Sequence, residues 1–199
     1  DDGIIRIEFR ADELDDVSIA LLTDLQYQVE VTIRPPGFLT QQIIRRLQEV
    51  PHLVGLKVST RIEGLSDDAF AWLAQSHSLH SFQLTAHREL ADAMVFPALR
   101  SSAQLESLSL AGRGITDQGL RLLPAGAPLR QLHLDDTSCR GETLNHFTDA
   151  KFTDVSLGGL SDAGAKQLGR HTSITNLNVS GSDISGAGVS ELARLRLVK

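Results

Sequence analysis

The chain has 199 residues, 41% of them hydrophobic, which is enough to bury a core and too many for a disordered segment. A net charge of −6, with 19 basic residues scattered rather than clustered, argues against nucleic acid and against an anionic membrane surface as partners. One cysteine, Cys139, excludes an intrachain disulfide, and no apolar run approaches the roughly 18 residues of a membrane span.

In chain order, a template of the form L-x-x-L-x-L keeps returning. It begins as Ile4, Ile7, Phe9. A weaker copy follows, with Gln26 in the first position and Val29 and Val31 behind it. Then come Leu53, Leu56, Val58; Leu79, Phe82, Leu84; Leu105, Leu108, Leu110; Leu129, Leu132, Leu134; Phe152, Val155, Leu157; and Ile174, Leu177, Val179. Leu197 opens a ninth copy. The starts lie 22 to 27 residues apart, within the roughly 20–29 residues of a leucine-rich repeat. Alternation inside each copy predicts a short strand with one buried face.

Behind each strand comes a second signature. Ile115-Thr116-Asp117-Gln118-Gly119-Leu120 leads to Leu123, and Leu160-Ser161-Asp162-Ala163-Gly164-Ala165 leads to Leu168. Ile184-Ser185-Gly186-Ala187-Gly188-Val189 leads to Leu192. Leu65-Ser66-Asp67-Asp68-Ala69-Phe70 and Leu14-Asp15-Asp16-Val17-Ser18-Ile19 are earlier copies. The leading apolar residue plugs the core, Ser, Thr or Asp caps a helix, and the apolar pair that follows buries one helical face. The expectation is an α/β leucine-rich-repeat solenoid, a horseshoe with a parallel sheet on its concave face and short helices on its convex face. It forms a single domain over 1–199 with seven to eight repeats.

The units Ser161-Asp162-Ala163-Gly164-Ala165-Lys166-Gln167-Leu168-Gly169 and Gly186-Ala187-Gly188-Val189-Ser190-Glu191-Leu192-Ala193 resemble the GALA-type repeats of bacterial, ribonuclease-inhibitor-like leucine-rich-repeat proteins. The resemblance extends over about 105–199. It implies a protein-interaction module, of a kind that includes type III effectors which pair such repeats with an F-box. Here the segment 10–50 carries repeats and no F-box. Many leucine-rich repeats place Asn after the strand. The aligned residues here are Arg61, His87, Arg113, Thr137 and Ser182. Thr and Ser can satisfy neighbouring backbone groups, whereas Arg and His are ill suited to burial. The turns at 59–64 and 85–90 are therefore expected to flare open.

Parity places the remaining strand residues on the concave face. Glu30 and Lys57 belong to a mixed-charge N-terminal end, Gln83 to a small and neutral middle with Ser81, Ser107 and Ser109. Gln131, His133, Asp135, Asp154, Asn176 and Asn178 form a polar, slightly acidic C-terminal end, where Ser156 also falls. Nine of these, Glu30, Lys57, Gln83, Gln131, His133, Asp135, Asp154, Asn176 and Asn178, are the candidate contacts for a partner protein or peptide. The alternative is that they are merely solvated and the partner sits elsewhere, since aromatic anchors are missing from the face. A loop at 34–38, with Arg34, Pro35, Pro36, Gly37 and Phe38, is a secondary candidate or a plain spacer.

Other constellations carry less. His77 and His80, with His87 beyond, lack the third and fourth ligands a metal site needs. Cys139 has His133 and His146 nearby in sequence, but it occupies the plug position of Ile115 and Ile184, where a buried thiol is inert. Gly112-Arg113-Gly114 lacks the Lys and hydroxyl of a phosphate loop. No catalytic residue, metal or cofactor is expected. The leading reading is a binding module, the recognition domain of a bacterial effector, located in the cytoplasm or secreted into a host cell. Alternatives are the substrate-recognition part of a ubiquitin ligase or other enzyme with catalysis on flanking domains, and a structural surface protein. Bare solenoid ends would expose apolar side chains, so the chain is expected to continue at both ends or to pair with another copy.

Overall fold

A computed structural model describes residues 3–62, 64–85 and 90–195. His87, with the rest of the turn at 86–89, and the ninth template copy at Leu197 lie outside the described residues.

Eight strands form one parallel sheet: β1 (Ile4–Arg10), β2 (Gln28–Arg34), β4 (Leu53–Val58), β6 (Ser81–Leu84), β7 (Ser107–Leu110), β8 (Gln131–Leu134), β9 (Asp154–Leu157) and β10 (Asn176–Asn178). Each strand lies beside the one that precedes it in the repeat order. β3 (Phe38–Leu39) and β5 (Arg61–Ile62) make a separate two-stranded pair. Helices α1 (Asp16–Thr23), α2 (Gln41–Leu47), α3 (Asp92–Leu99), α4 (Asp117–Leu120), α5 (Asp162–Leu168) and α6 (Gly186–Leu192) stack with two 3₁₀ segments, Ala71–Gln75 and Leu144–His146, as a second layer.

The core lies between the layers. One row of neighbours runs Ile7, Val31, Leu56, Phe82, Leu108, Leu132, Val155 and Leu177. All but the two end members, Ile7 and Leu177, are fully buried. This register corrects the second repeat. Val31 stands beside Leu56 and Ile33 beside Val58, so the template there runs from Gln28 through Val31 to Ile33, two residues later than the pattern suggests. A bulge at Val54 takes up the slip between Val29 and Glu30. A shift of two leaves every side chain on the same face, so Glu30 stays where parity puts it.

Two repeats depart from the helical pattern. Ser66 donates its hydroxyl to Gln41 Oε1 (3.2 Å) instead of capping a helix. The segment behind it, Ala71–Gln75, winds as 3₁₀ with no side-chain cap. Leu144–His146 is likewise uncapped. A 3₁₀ turn is thinner than an α-helix, and a phenylalanine sits in the core beside each. Phe70 meets Phe82 edge-on at 5.8 Å, and Phe147 meets Phe152 at 6.2 Å.

Adjacent helices are joined through their N-termini. Asp92 accepts from Thr116 N (2.9 Å) and Thr116 Oγ1. Asp117 accepts from Arg140 N (2.6 Å) and from both donors of Thr143. Asp162 accepts from Ser185 N (2.8 Å) and Ser185 Oγ (2.7 Å). Each carboxylate thus reaches the start of the next helical segment. At the first and third of these joints the glycine three residues past the cap leaves room for the carboxylate. A Cβ on Gly119 would fall on Asp92 Oδ1 and the Phe96 ring, and one on Gly188 would fall on Asp162 Oδ1.

The turns after the strands differ from the flared expectation. Thr137 Oγ1 donates to Leu134 O (2.8 Å) and accepts from Cys139 N (3.3 Å). Ser182 Oγ accepts from Leu160 N (3.0 Å). At Arg61 the backbone itself pairs with β3, and Thr60 Oγ1 donates to Gly37 O (2.6 Å). The segment 59–62 is therefore pinned rather than open, because main-chain pairing replaces the missing Asn. The same contacts hold the 34–38 loop, which also receives Ala11 N at Arg34 O (2.9 Å) and Asp12 N at Pro36 O (3.3 Å). Gly37 is required there. Its φ is 108°, and a Cβ would meet Asp12 N at 2.7 Å.

Candidate functional site

Nine residues were expected to share one face, and the structure divides them into two groups with a bridge. Glu30 and Lys57 lie on β2 and β4, one strand apart. Lys57 Nζ donates to Glu30 Oε1 at 2.9 Å, and Arg6 Nε approaches the same oxygen at 3.7 Å. The Glu30 side chain is only 12% exposed. It lies over Gly55, where a Cβ would crowd its Cγ at 2.8 Å. Farther along, Arg34 Nε pairs with Glu8 Oε1 at 3.0 Å, and Arg10 pairs with Asp12 and Glu13. The charges at this end are largely spent on one another.

Gln83 on β6 stands between Lys57 and Ser109 in register and is half-buried. Strands β6 and β7 present only Ser and Gln to the face, and they separate the charged end from the second group by several strand spacings of about 4.8 Å each.

The second group is compact. Gln131, Asp154 and Asn176 form one row across β8, β9 and β10, and His133, Ser156 and Asn178 form the next. His133 Nε2 lies 3.3 Å from Asp154 Oδ1. Gln131 Oε1 accepts from Ser107 Oγ at 3.0 Å. Asp135 begins the turn after β8, whose next residue, Asp136, is left-handed (φ 54°), a conformation Asp tolerates. Asp135 Oδ1 there accepts from Ser156 Oγ at 2.6 Å. Asn178 Oδ1 accepts from Ser180 N (3.0 Å) and Ser180 Oγ (2.6 Å), while Asn176 and Asn178 are both exposed.

Parity alone overstates the accessible surface. Ser156 and Gly55 face the right way but are buried, one beneath Asp135 and the other beneath Glu30. Small residues under long neighbours are the signal that marks such positions. A groove on a different edge, around Trp72, was not visible in the pattern at all, because it is made by turns from three repeats.

The residues set aside earlier fall as follows. Cys139 is buried, with Sγ 3.7 Å from Ile115 O. Burial pushes its thiol up to about 12, against a smaller opposing effect of the Thr137 hydroxyl, so the nucleophilic thiolate is scarce near neutral pH. His146 Nε2 is 2.8 Å from Leu123 O, engaged with the backbone of the preceding repeat. His77 and His80 lie in the turn before β6 and just ahead of it. Among the described residues no group of three His, Cys, Asp or Glu side chains is placed to hold a metal ion, and no helix is long and apolar enough to cross a membrane.

No protein-family model matches the sequence, and no curated protein sequence matches it. Among solved structures, the chain is similar to an internalin (inlF) from Listeria monocytogenes, with a TM-score of 0.61 and 19% identity. The match covers 91% of this chain and 49% of the internalin, so the chain spans about half the length of that protein. At such identity the likeness is one of fold, and the fold that the two share is the leucine-rich-repeat kind.

Proposed function

We propose that this chain is a protein-interaction module, one leucine-rich-repeat array over 1–199, and that a partner protein or peptide docks on its sheet face across β8, β9 and β10. Strands stack about 4.8 Å apart whereas packed helices need about 8–10 Å. A sheet backed by a helical layer therefore bends toward the sheet, and the face becomes the concave side of a horseshoe.

The observation that carries the reading is the contrast in charge along that face. At the N-terminal end, Arg6, Lys57, Glu30, Glu8 and Arg34 pair among themselves. No Lys or Arg occupies the face positions of β8–β10, so Asp135, which accepts from Ser156, and Asp154, which lies beside His133, meet no such cation on this face, and Asn176 and Asn178 are exposed. The fold likeness supports the class of function, because leucine-rich-repeat scaffolds of this kind generally bind protein partners. The units at Ser161–Gly169 and Gly186–Ala193 support a bacterial origin and a place as the recognition segment of an effector. The partner is then a host protein.

Replacing Asn176→Arg together with Asp154→Arg is the test. Both positions are on the surface, so the thermal midpoint should stay within a few degrees, while capture of the partner protein that the unaltered chain retains from host lysate is lost. Retained capture would move the site to the helical side or the 34–38 loop.

A further inference from the structure

At the edge where helical segments hand over to β4, β6 and β7, turns from three successive repeats enclose a groove of about 740 Å³, inside the roughly 300–1,000 Å³ range of small-ligand pockets. It lies beside the 3₁₀ segment Ala71–Gln75, whose narrow winding leaves room that a full helix would fill. Trp72, the protein's one tryptophan, lines it with Gln48, Gln75, Gln104, His77 and His80. The rest of its wall is Ser and apolar side chains, and among the described residues no Asp, Glu, Lys or Arg contributes to it. Two polar atoms of this wall, Trp72 Nε1 and His80 Nδ1, are buried without a hydrogen-bond partner. Unpaired buried polar atoms are uncommon and unfavourable, and here two lie in the wall of one groove.

We propose that this groove binds a neutral polyhydroxylated ligand, a short oligosaccharide, independently of the protein partner on the sheet face. A lining without fixed charge gives an ionic ligand nothing to offset its desolvation. Carboxamides from three repeats carry donors and acceptors together, which suits hydroxyl groups that are also both. The Trp72 indole and the neighbouring Val50 and Pro51 supply an apolar surface for the C–H face of a pyranose. Trp72 Nε1 can only donate. A sugar hydroxyl that reaches it supplies the acceptor it lacks.

Because the tryptophan is single, its fluorescence reports on this groove alone. Titration with maltotriose, cellotriose and chitotriose should shift Trp72 emission saturably for one of them. Gln75 and Gln104 are exposed, so the double variant Gln75→Ala, Gln104→Ala should keep its thermal midpoint and bind that sugar about tenfold more weakly, through lost hydrogen bonds. The absence of a saturable change with all three sugars overturns the proposal, as does unchanged affinity in the double variant. A saturable response to a neutral Gly-Ser hexapeptide instead of the sugars also overturns it and assigns the groove to peptide.

Discussion

The two ends of the sheet tie their repeats together differently. At the N-terminal end the ties cross the sheet face as ion pairs, Arg6 and Lys57 on Glu30, and Arg34 on Glu8. At the C-terminal end the face carries single contacts without Lys or Arg, His133 beside Asp154 and Ser156 on Asp135, and further ties run through the helix starts, Asp117 to Arg140 and Thr143, and Asp162 to Ser185. The front of β8–β10 is thus crossed by fewer charged contacts than the front of β1–β4. One sheet therefore contains an end whose charges neutralise one another and an end whose carboxylates face no Lys or Arg.

The largest expected effect lies in the row of apolar neighbours that both ends share. Leu132→Ala removes a fully buried side chain between Leu108 and Val155 and should cost about 2–5 kcal/mol in denaturant unfolding. A loss well under that would mean the row is not closely packed. Next in size is Gly188→Ala, which drives a methyl into Asp162 Oδ1 and should cost about 1–3 kcal/mol. Adding Asp162→Ala should restore part of that loss, giving a non-additive cycle. Strict additivity would separate the glycine from the carboxylate and remove the contrast between the two ends.

The smallest effect is an acid one. Asp162 is held below the ordinary aspartate range, chiefly by the Ser185 hydroxyl and then by the Ser185 N–H. A lowered carboxyl contributes stability above its unfolded pKa, and that contribution fades as pH falls through the folded value. Asp15 is lowered too, by Ser18 within its own helix, so acid there frays one helix start rather than a joint between repeats. An NMR titration of the Ser185 amide shift should therefore have its midpoint below that of a free aspartate. A midpoint at or above it would contradict the coupling.

Much of the fold was legible because the chain is periodic. A Leu, Ile or Val every second position, returning after some two dozen residues, has few ways to leave water, and stacked parallel strands are one of them. The second repeat shows the boundary of that reading. Gln28–Arg34 is polar and apolar by turns with three candidate anchors, Val29, Val31 and Ile33, and only the partner strand selects the last two. The candidate face was legible as a parity class, since side chains must alternate along a strand. Its division into an end closed by ion pairs and an end closed mostly by single hydrogen bonds was not.

That division depends on distances between residues more than twenty positions apart. Which Arg reaches which Glu, that Ser156 lies beneath Asp135, and that three turns leave a groove around Trp72 are facts about stacking. The sequence by itself determined the repeat, its strand and helix phases, and the interior position of Cys139, because these follow from local periodicity and the need to hide apolar surface. Tertiary structure alone decided the register at β2, the carboxylate-to-cap joints and which polar side chains pair across the sheet face. A side chain's partner is set by what the neighbouring coil places beside it, and no local pattern encodes that.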